Sequence, residues 1–186
     1  MMKPDLSRLG LSTVGDQNAW AVFSADRIYR YLLARAWDPS LPTLAVGMLN
    51  PSKAGAYDEH GKEQSDPTAR KVGGFARRLG FGSFVVCNLG AFIATDPKDF
   101  ARAEDPIGPH NATAMHYAFT VPSVTTCVAA WGGSLPRRLN DIVSANKTMM
   151  RRYGAAWCWG TTKDGEPRHP LMLSYDTPLE AWRRDL

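Results

Sequence analysis

The chain has 186 residues and a net charge of +4 with histidine neutral; 44% of its side chains are hydrophobic and 22% charged. That composition is ordinary for a globular domain with room for a full core, and the mild excess of base suits an anionic partner without requiring one. Its three cysteines, Cys87, Cys127 and Cys158, are far apart and lack CxxC or Cys/His spacing, which argues against a disulfide framework, a zinc site and an iron–sulfur cluster.

In chain order, residues 1–18 are polar and aperiodic and are expected to be irregular, leaving 19–186 as one α/β domain. Trp20-Ala-Val-Phe-Ser24 and Arg27–Trp37 are rich in aromatic and β-branched residues, as strands are. The turn sequence Asp38-Pro-Ser-Leu-Pro42 then predicts an antiparallel pairing of Arg27–Trp37 with Thr43–Leu49. The apolar run Leu44–Leu49 reads as a buried strand, stopped by Asn50-Pro51-Ser52, where Pro51 has no amide to donate and biases Asn50 away from helix.

Lys53–Gln64 reads as a mobile loop beside that turn. Asp66 can cap a helix beginning at Pro67, whose apolar stripe is Val72, Phe75, Ala76 and Leu79 and which Gly80 ends. A second buried strand, Gly82–Leu89, again closes on an asparagine, Asn88. Asp96-Pro97 opens a short helix and Asp105–Asn111 precedes another; His110 and His116 read there as solvated or packed histidines without ligand partners. Val124–Ala130 is a third strand ending in Trp131-Gly132, Leu135–Tyr153 a helix, Ala155–Trp159 a fourth strand, and Pro178–Trp182 a terminal helical turn. The paired arginines at 77–78, 137–138, 151–152 and 183–184 read as solvated faces.

This alternation predicts a three-layer α/β/α sandwich with a mainly parallel central sheet and an N-terminal antiparallel strand. Ligands bind at the carboxyl ends of such strands, where Asn50, Ser52, Asn88, Gly132 and the run Lys163-Asp-Gly-Glu-Pro-Arg-His-Pro170 then gather. Asn50 is suited to orienting a water or a carbonyl, and His169 to moving a proton or hydrogen-bonding a developing anion. Lys163 and Arg168 suit phosphate, and Arg70, in the second turn of its helix, is placed near the strand end it follows. No membrane-spanning stretch and no signal-peptide h-region is present, so a cytoplasmic protein with no membrane partner and its cysteines in the core is expected.

Leu49-Asn-Pro-Ser52, Asp66-Pro-Thr68 with Arg70, Asn88-Leu89, Ala94-Thr-Asp-Pro97, and Gly160-Thr-Thr-Lys-Asp-Gly165 with Arg168-His-Pro-Leu171 resemble an uncharacterised bacterial and phage family, a domain of unknown function. More distantly, Met48-Leu-Asn-Pro-Ser52, Val85-Val-Cys-Asn88, Val128-Ala-Ala-Trp-Gly132 and Arg168-His-Pro-Leu171 resemble, in order, motifs of the uracil-DNA glycosylase superfamily. The chain departs from that pattern at Ser52, in the Leu171-Met-Leu173 that follows His169-Pro170, and in the Lys163-Asp164-Gly165 loop.

The second resemblance implies a nucleobase N-glycosidase acting on a nucleotide or a modified nucleic acid, DNA rather than RNA, with no metal or redox cofactor. Asn50 and His169 are then the catalytic pair. Asn88 reads the base edge and Phe92 stacks on the base, while Ser52, Asp66, Arg70, Lys163 and Arg168 complete substrate binding. The competing expectations are a non-catalytic nucleotide or nucleic-acid binding module, and a different hydrolase with Asp66 as general base. A monomer is assumed throughout.

Overall fold

Buried strands that are apolar on both faces take central places in a sheet, and this chain builds its sheet around two of them. The computed structural model describes residues 3–52, 66–133, 135 and 137–182. Strands β1 (Ser12–Gly15), β2 (Ala19–Phe23), β3 (Arg30–Ala36), β4 (Thr43–Met48), β5 (Ser83–Asn88), β6 (Val124–Ala129), β7 (Ala155–Cys158) and β8 (Glu180–Ala181) form one sheet of order β1-β2-β3-β5-β4-β6-β7-β8. Every residue of β4 and of β5 is buried. Helices α1 (Pro67–Arg78), α2 (Pro97–Arg102), α3 (Asn111–Thr120) and α4 (Arg137–Arg152) complete the α/β fold.

The sheet is mixed. Four of its seven pairings are antiparallel, and the three parallel ones join β5, β4, β6 and β7. The expected mainly parallel sheet is therefore only its centre, and the single N-terminal antiparallel strand is a three-stranded antiparallel flank, β1 to β3. The predicted pairing of Arg27–Trp37 with Thr43–Leu49 does not form. β5 lies between them, antiparallel to β3 and parallel to β4. The physical reason is that β5 needs a neighbour on each edge, and the 38–42 turn is long enough to straddle a strand. Gly82 clamps that turn, accepting from Trp37 N at 2.9 Å and donating to Pro42 O at 2.9 Å.

Two further expectations change. Residues 1–18 contain a 3-10 turn at Ser7–Leu9 and β1, an edge strand of four residues, too short to show periodicity in sequence. Pro178–Trp182 contains no helical turn but β8, a two-residue edge strand, next to which Trp182 N donates to Ala156 O. The loop expected at Lys53–Gln64 and the arginines at 183–184 lie outside the described residues.

The sheet separates two cores. On one face α1 buries Ala69, Val72, Phe75 and Ala76 against Leu33, Leu44, Val46, Phe84 and Val86. On the other, α2, α3 and α4 bring Phe100, Met115, Phe119, Leu139, Val143 and Met150 onto Leu32, Ala34, Ala45, Val85 and Cys87. The alternating side-chain direction of β3, β4 and β5 assigns neighbouring residues to opposite faces. The three cysteines are free and buried, and burial pushes the Cys127 thiol up to about 11. Among the described residues no helix is long and apolar enough to cross a membrane.

Candidate functional site

The chain leaves β4 through Asn50 and Pro51, and this turn is fastened to the segment that follows β5. Asn50 Nδ2 donates to Ala94 O at 2.8 Å and to Pro51 O at 3.1 Å, while Ala94 N donates to Pro51 O at 3.0 Å. The carboxamide is thereby held in one orientation with its Oδ1 left as an acceptor.

Asp66 starts α1 beside this turn. Its Oδ1 accepts from Thr68 N at 2.8 Å and Ala69 N at 3.0 Å, an N-cap with proline at the first helical position. Asn88 ends β5, is 3% exposed and lines the cavity described below. Its backbone is held from behind by two buried asparagines. Asn111 Nδ2 donates to Asn88 O at 3.0 Å, and Asn146 Nδ2 donates to Leu89 O at 2.7 Å.

His169 arrives on the loop after β7. That loop folds on itself, with Thr162 N donating to Glu166 O and Arg168 N to Gly160 O, and Gly132 N ties it to the end of β6 through Pro167 O at 2.8 Å. Inside it, the Glu166 carboxylate accepts from Trp131 Nε1 at 2.7 Å and pairs with Lys147 Nζ at 3.1 Å. His169 Nδ1 accepts from Leu171 N at 3.3 Å, so the neutral ring carries its proton on Nε2. Burial pulls the His169 pKa below its usual value, and the nearby Asp66 charge partly opposes this.

Asn50, Ser52, Asp66, Asn88 and His169 line one cavity of about 170 Å³. Gly132 stands behind His169, where an added Cβ would lie 3.5 Å from the histidine Cβ. The other predicted residues are elsewhere. Arg70 faces a separate groove on the flank of α1. Phe92 packs edge-on against Tyr29 at 6.2 Å and contributes to the α3 core, so it does not stack in the cavity. Lys163 and Arg168 are exposed on the loop, away from the cavity lining. His110 caps no helix with its side chain and packs edge-on against Tyr31.

Sequence reasoning missed Arg30, which is 4% exposed and lines the same cavity, and also Thr68 and Thr95. The signal for Arg30 was an arginine inside the apolar run Ile28-Tyr-Arg-Tyr-Leu32, where a buried guanidinium demands a partner or a ligand. Among the described residues no three His, Cys, Asp or Glu side chains converge as metal ligands do.

Fold and site together define an α/β protein with a small polar cavity where the central parallel strands end. The family described as "Protein of unknown function (DUF1643)" matches residues 30–171, and the chain belongs to it. Comparisons with curated proteins and with solved structures return no match.

Proposed function

We propose that the protein is a nucleobase N-glycosidase-like hydrolase, acting on a nucleotide or nucleic acid. In this reading the parallel β4–β7 centre, flanked by helices on both faces, is a distant form of the uracil-DNA glycosylase sandwich. The single observation that carries it is Asn88. Its side chain belongs to a residue only 3% exposed and lines the cavity together with Asn50 and His169, where a carboxamide offers hydrogen bonds to whatever the cavity holds. A donor and an acceptor side by side match the edge of a heterocyclic base.

The remaining groups fit the same chemistry. A cavity of about 170 Å³ is smaller than most ligand pockets and suits one planar base better than a whole nucleotide. Asn50 Oδ1 accepts from the attacking water. Neutral His169, with its proton on Nε2, donates to the base oxygen on which charge develops as the glycosidic bond breaks. Its lowered pKa supports this role, since a neutral donor gives up no proton of its own at neutral pH. Arg30 adds fixed positive charge beside the departing base. Atoms balance as water plus substrate giving free base and a sugar hydroxyl.

A second reading is favoured by Ser52 and by Leu171-Met-Leu173, which stand where the superfamily pattern has other residues. There the cavity binds a nucleotide or nucleic acid and performs no chemistry. The deciding experiment incubates purified protein with nucleosides, nucleotides and oligonucleotides bearing ordinary and modified bases, and separates free base by chromatography. Base release that His169→Ala abolishes is the expected result. Tight binding of a base-containing ligand with no release from any substrate moves the assignment to the binding module.

A further inference from the structure

The loop that carries His169 is held at three successive residues, and the middle one is a buried charge that the proposed chemistry does not use. Trp182 Nε1 donates to Gly165 O at 3.3 Å, and Gly132 N donates to Pro167 O at 2.8 Å. Between them the Glu166 carboxylate takes two donors, Trp131 Nε1 at 2.7 Å on Oε2 and Lys147 Nζ at 3.1 Å on Oε1. Trp131 and Gly132 are consecutive at the end of β6. The pair Trp131-Gly132 therefore meets the pair Glu166-Pro167 at two adjacent points, one through side chains and one through backbone.

These contacts lie on the opposite face of the sheet from the cavity. Trp131 and Trp182 belong to the core beneath α4, whereas Leu33, Met48, Val72 and Val86, which line the cavity, belong to the core beneath α1. The loop passes from one face to the other within three steps of the chain, Glu166 to His169. Proline at 167 and at 170 fixes φ on either side of the histidine, and Arg168 N is tied to Gly160 O at 2.9 Å. Gly132, at φ +83°, offers no side chain beneath it; an added Cβ would lie 3.5 Å from the His169 Cβ.

A buried ion pair such as Lys147–Glu166 adds little net stability over two apolar side chains of similar size, because desolvation offsets most of the attraction. What a carboxylate supplies that leucine lacks is direction. Its two oxygens accept from two different elements, the end of β6 and α4, and Lys147 is itself fixed through Asn140 Oδ1 at 2.6 Å.

From this we infer that Glu166 is the positioning residue of His169: its hydrogen bond from the Trp131 indole registers the loop against the end of β6 and so sets where the imidazole stands in the cavity and where its Nε2–H points. The inference rests on the glycosidase reading only for what the imidazole does to a substrate; the placement stands on the geometry.

The test compares two charge-free pairs. Lys147→Met with Glu166→Gln keeps an acceptor for the Trp131 indole, and Lys147→Met with Glu166→Leu removes it. Both are measured under conditions where urea unfolding shows them folded. In the parent and in the glutamine pair, nitrogen NMR of the His169 ring at neutral pH should show one tautomer, protonated on Nε2. In the leucine pair it should show the averaged tautomers of a freed imidazole. Trp131→Phe, which removes the indole donor and leaves the charges, should do the same. With a substrate that releases base, the leucine pair should lower kcat by up to about a hundredfold with KM little changed, the effect of a misplacement of about 1 Å. In a His169→Ala background the same change should lower kcat no further, because a positioning residue acts only through the group it places.

The parent's tautomer persisting in both the leucine pair and Trp131→Phe overturns the inference; so does its loss in the glutamine pair, where the indole contact is kept. The tautomer is read without substrate, which separates this claim from the chemistry. Altered tautomers in a protein that releases no base leave the placement standing without the glycosidase reading. Base release with an unaltered tautomer leaves the glycosidase reading standing without Glu166.

Discussion

Asp66 and His169 line the same cavity and act on each other through space: burial lowers the His169 pKa, and the Asp66 carboxylate pulls it back up. Removing that charge should therefore lower the histidine pKa further. Asp66→Asn tests this without losing the helix cap, because asparagine caps as well as aspartate. An NMR titration of the His169 ring should move to lower pH in the variant. Asp66→Ala should in addition cost about 1 kcal/mol of stability, measured by urea unfolding.

The depressed His169 pKa also predicts a pH dependence of stability. Below the ordinary histidine value of about 6.5 the unfolded chain takes up a proton that the folded ring still refuses. Unfolded protein then binds more protons than folded protein, so stability rises with pH through this window. The contribution is complete above about 6.5 and is lost as pH falls toward the lowered folded value. His169→Gln should flatten this part of the stability profile in denaturant titrations between those limits.

If the protein releases a base, Asn50 and His169 act on opposite partners of one bond. Loss of a preorganised donor at a developing anion costs about a hundredfold or more in rate. His169→Ala and Asn50→Ala should each lower kcat by about that factor while KM changes little, because both groups are used chiefly in the transition state. Single-turnover measurements with saturating enzyme read the chemical step directly.

Asn88 should behave differently. Asn88 lines the cavity, so Asn88→Asp exchanges the donor for an acceptor and should change which base is accepted. Selectivity, taken as the ratio of kcat/KM for two bases, should shift more than the rate with the preferred one. Asn146→Ala, behind the same strand end, should weaken both alike by releasing Leu89 O.

The Lys147–Glu166 pair is almost wholly buried, with its side chains 7% and 11% exposed. Removing one partner of such a pair typically costs about 3–5 kcal/mol, since the other charge stays in the interior. Glu166→Ala should therefore destabilise strongly in urea unfolding. It should also loosen the loop that carries His169, which Trp131 Nε1 and Lys147 both hold through this carboxylate. Lys147→Met with Glu166→Leu, replacing both charges by apolar groups, should restore much of the stability.

The sequence by itself was enough for the local events. Asp66 and Asp96 each cap a helix that begins with proline, and the four apolar runs from Leu44 to Trp159 form the parallel strands, because capping and burial act over a few neighbouring residues. It also selected Asn50, Ser52, Asp66, Asn88 and His169, polar residues placed where strands stop or the next helix starts, and these share one cavity. Tertiary structure decided the rest. The place of β5 between β3 and β4 depends on which strand edges remain unpaired, a property of the whole sheet. The same long-range pairing turns Arg30 of β3 toward the cavity and sets Arg35 in the groove beside α1, while Phe92, Lys163 and Arg168 are drawn elsewhere by their own packing and loop hydrogen bonds. Local patterns report which residues stop a strand; only the closed sheet determines which of them face each other.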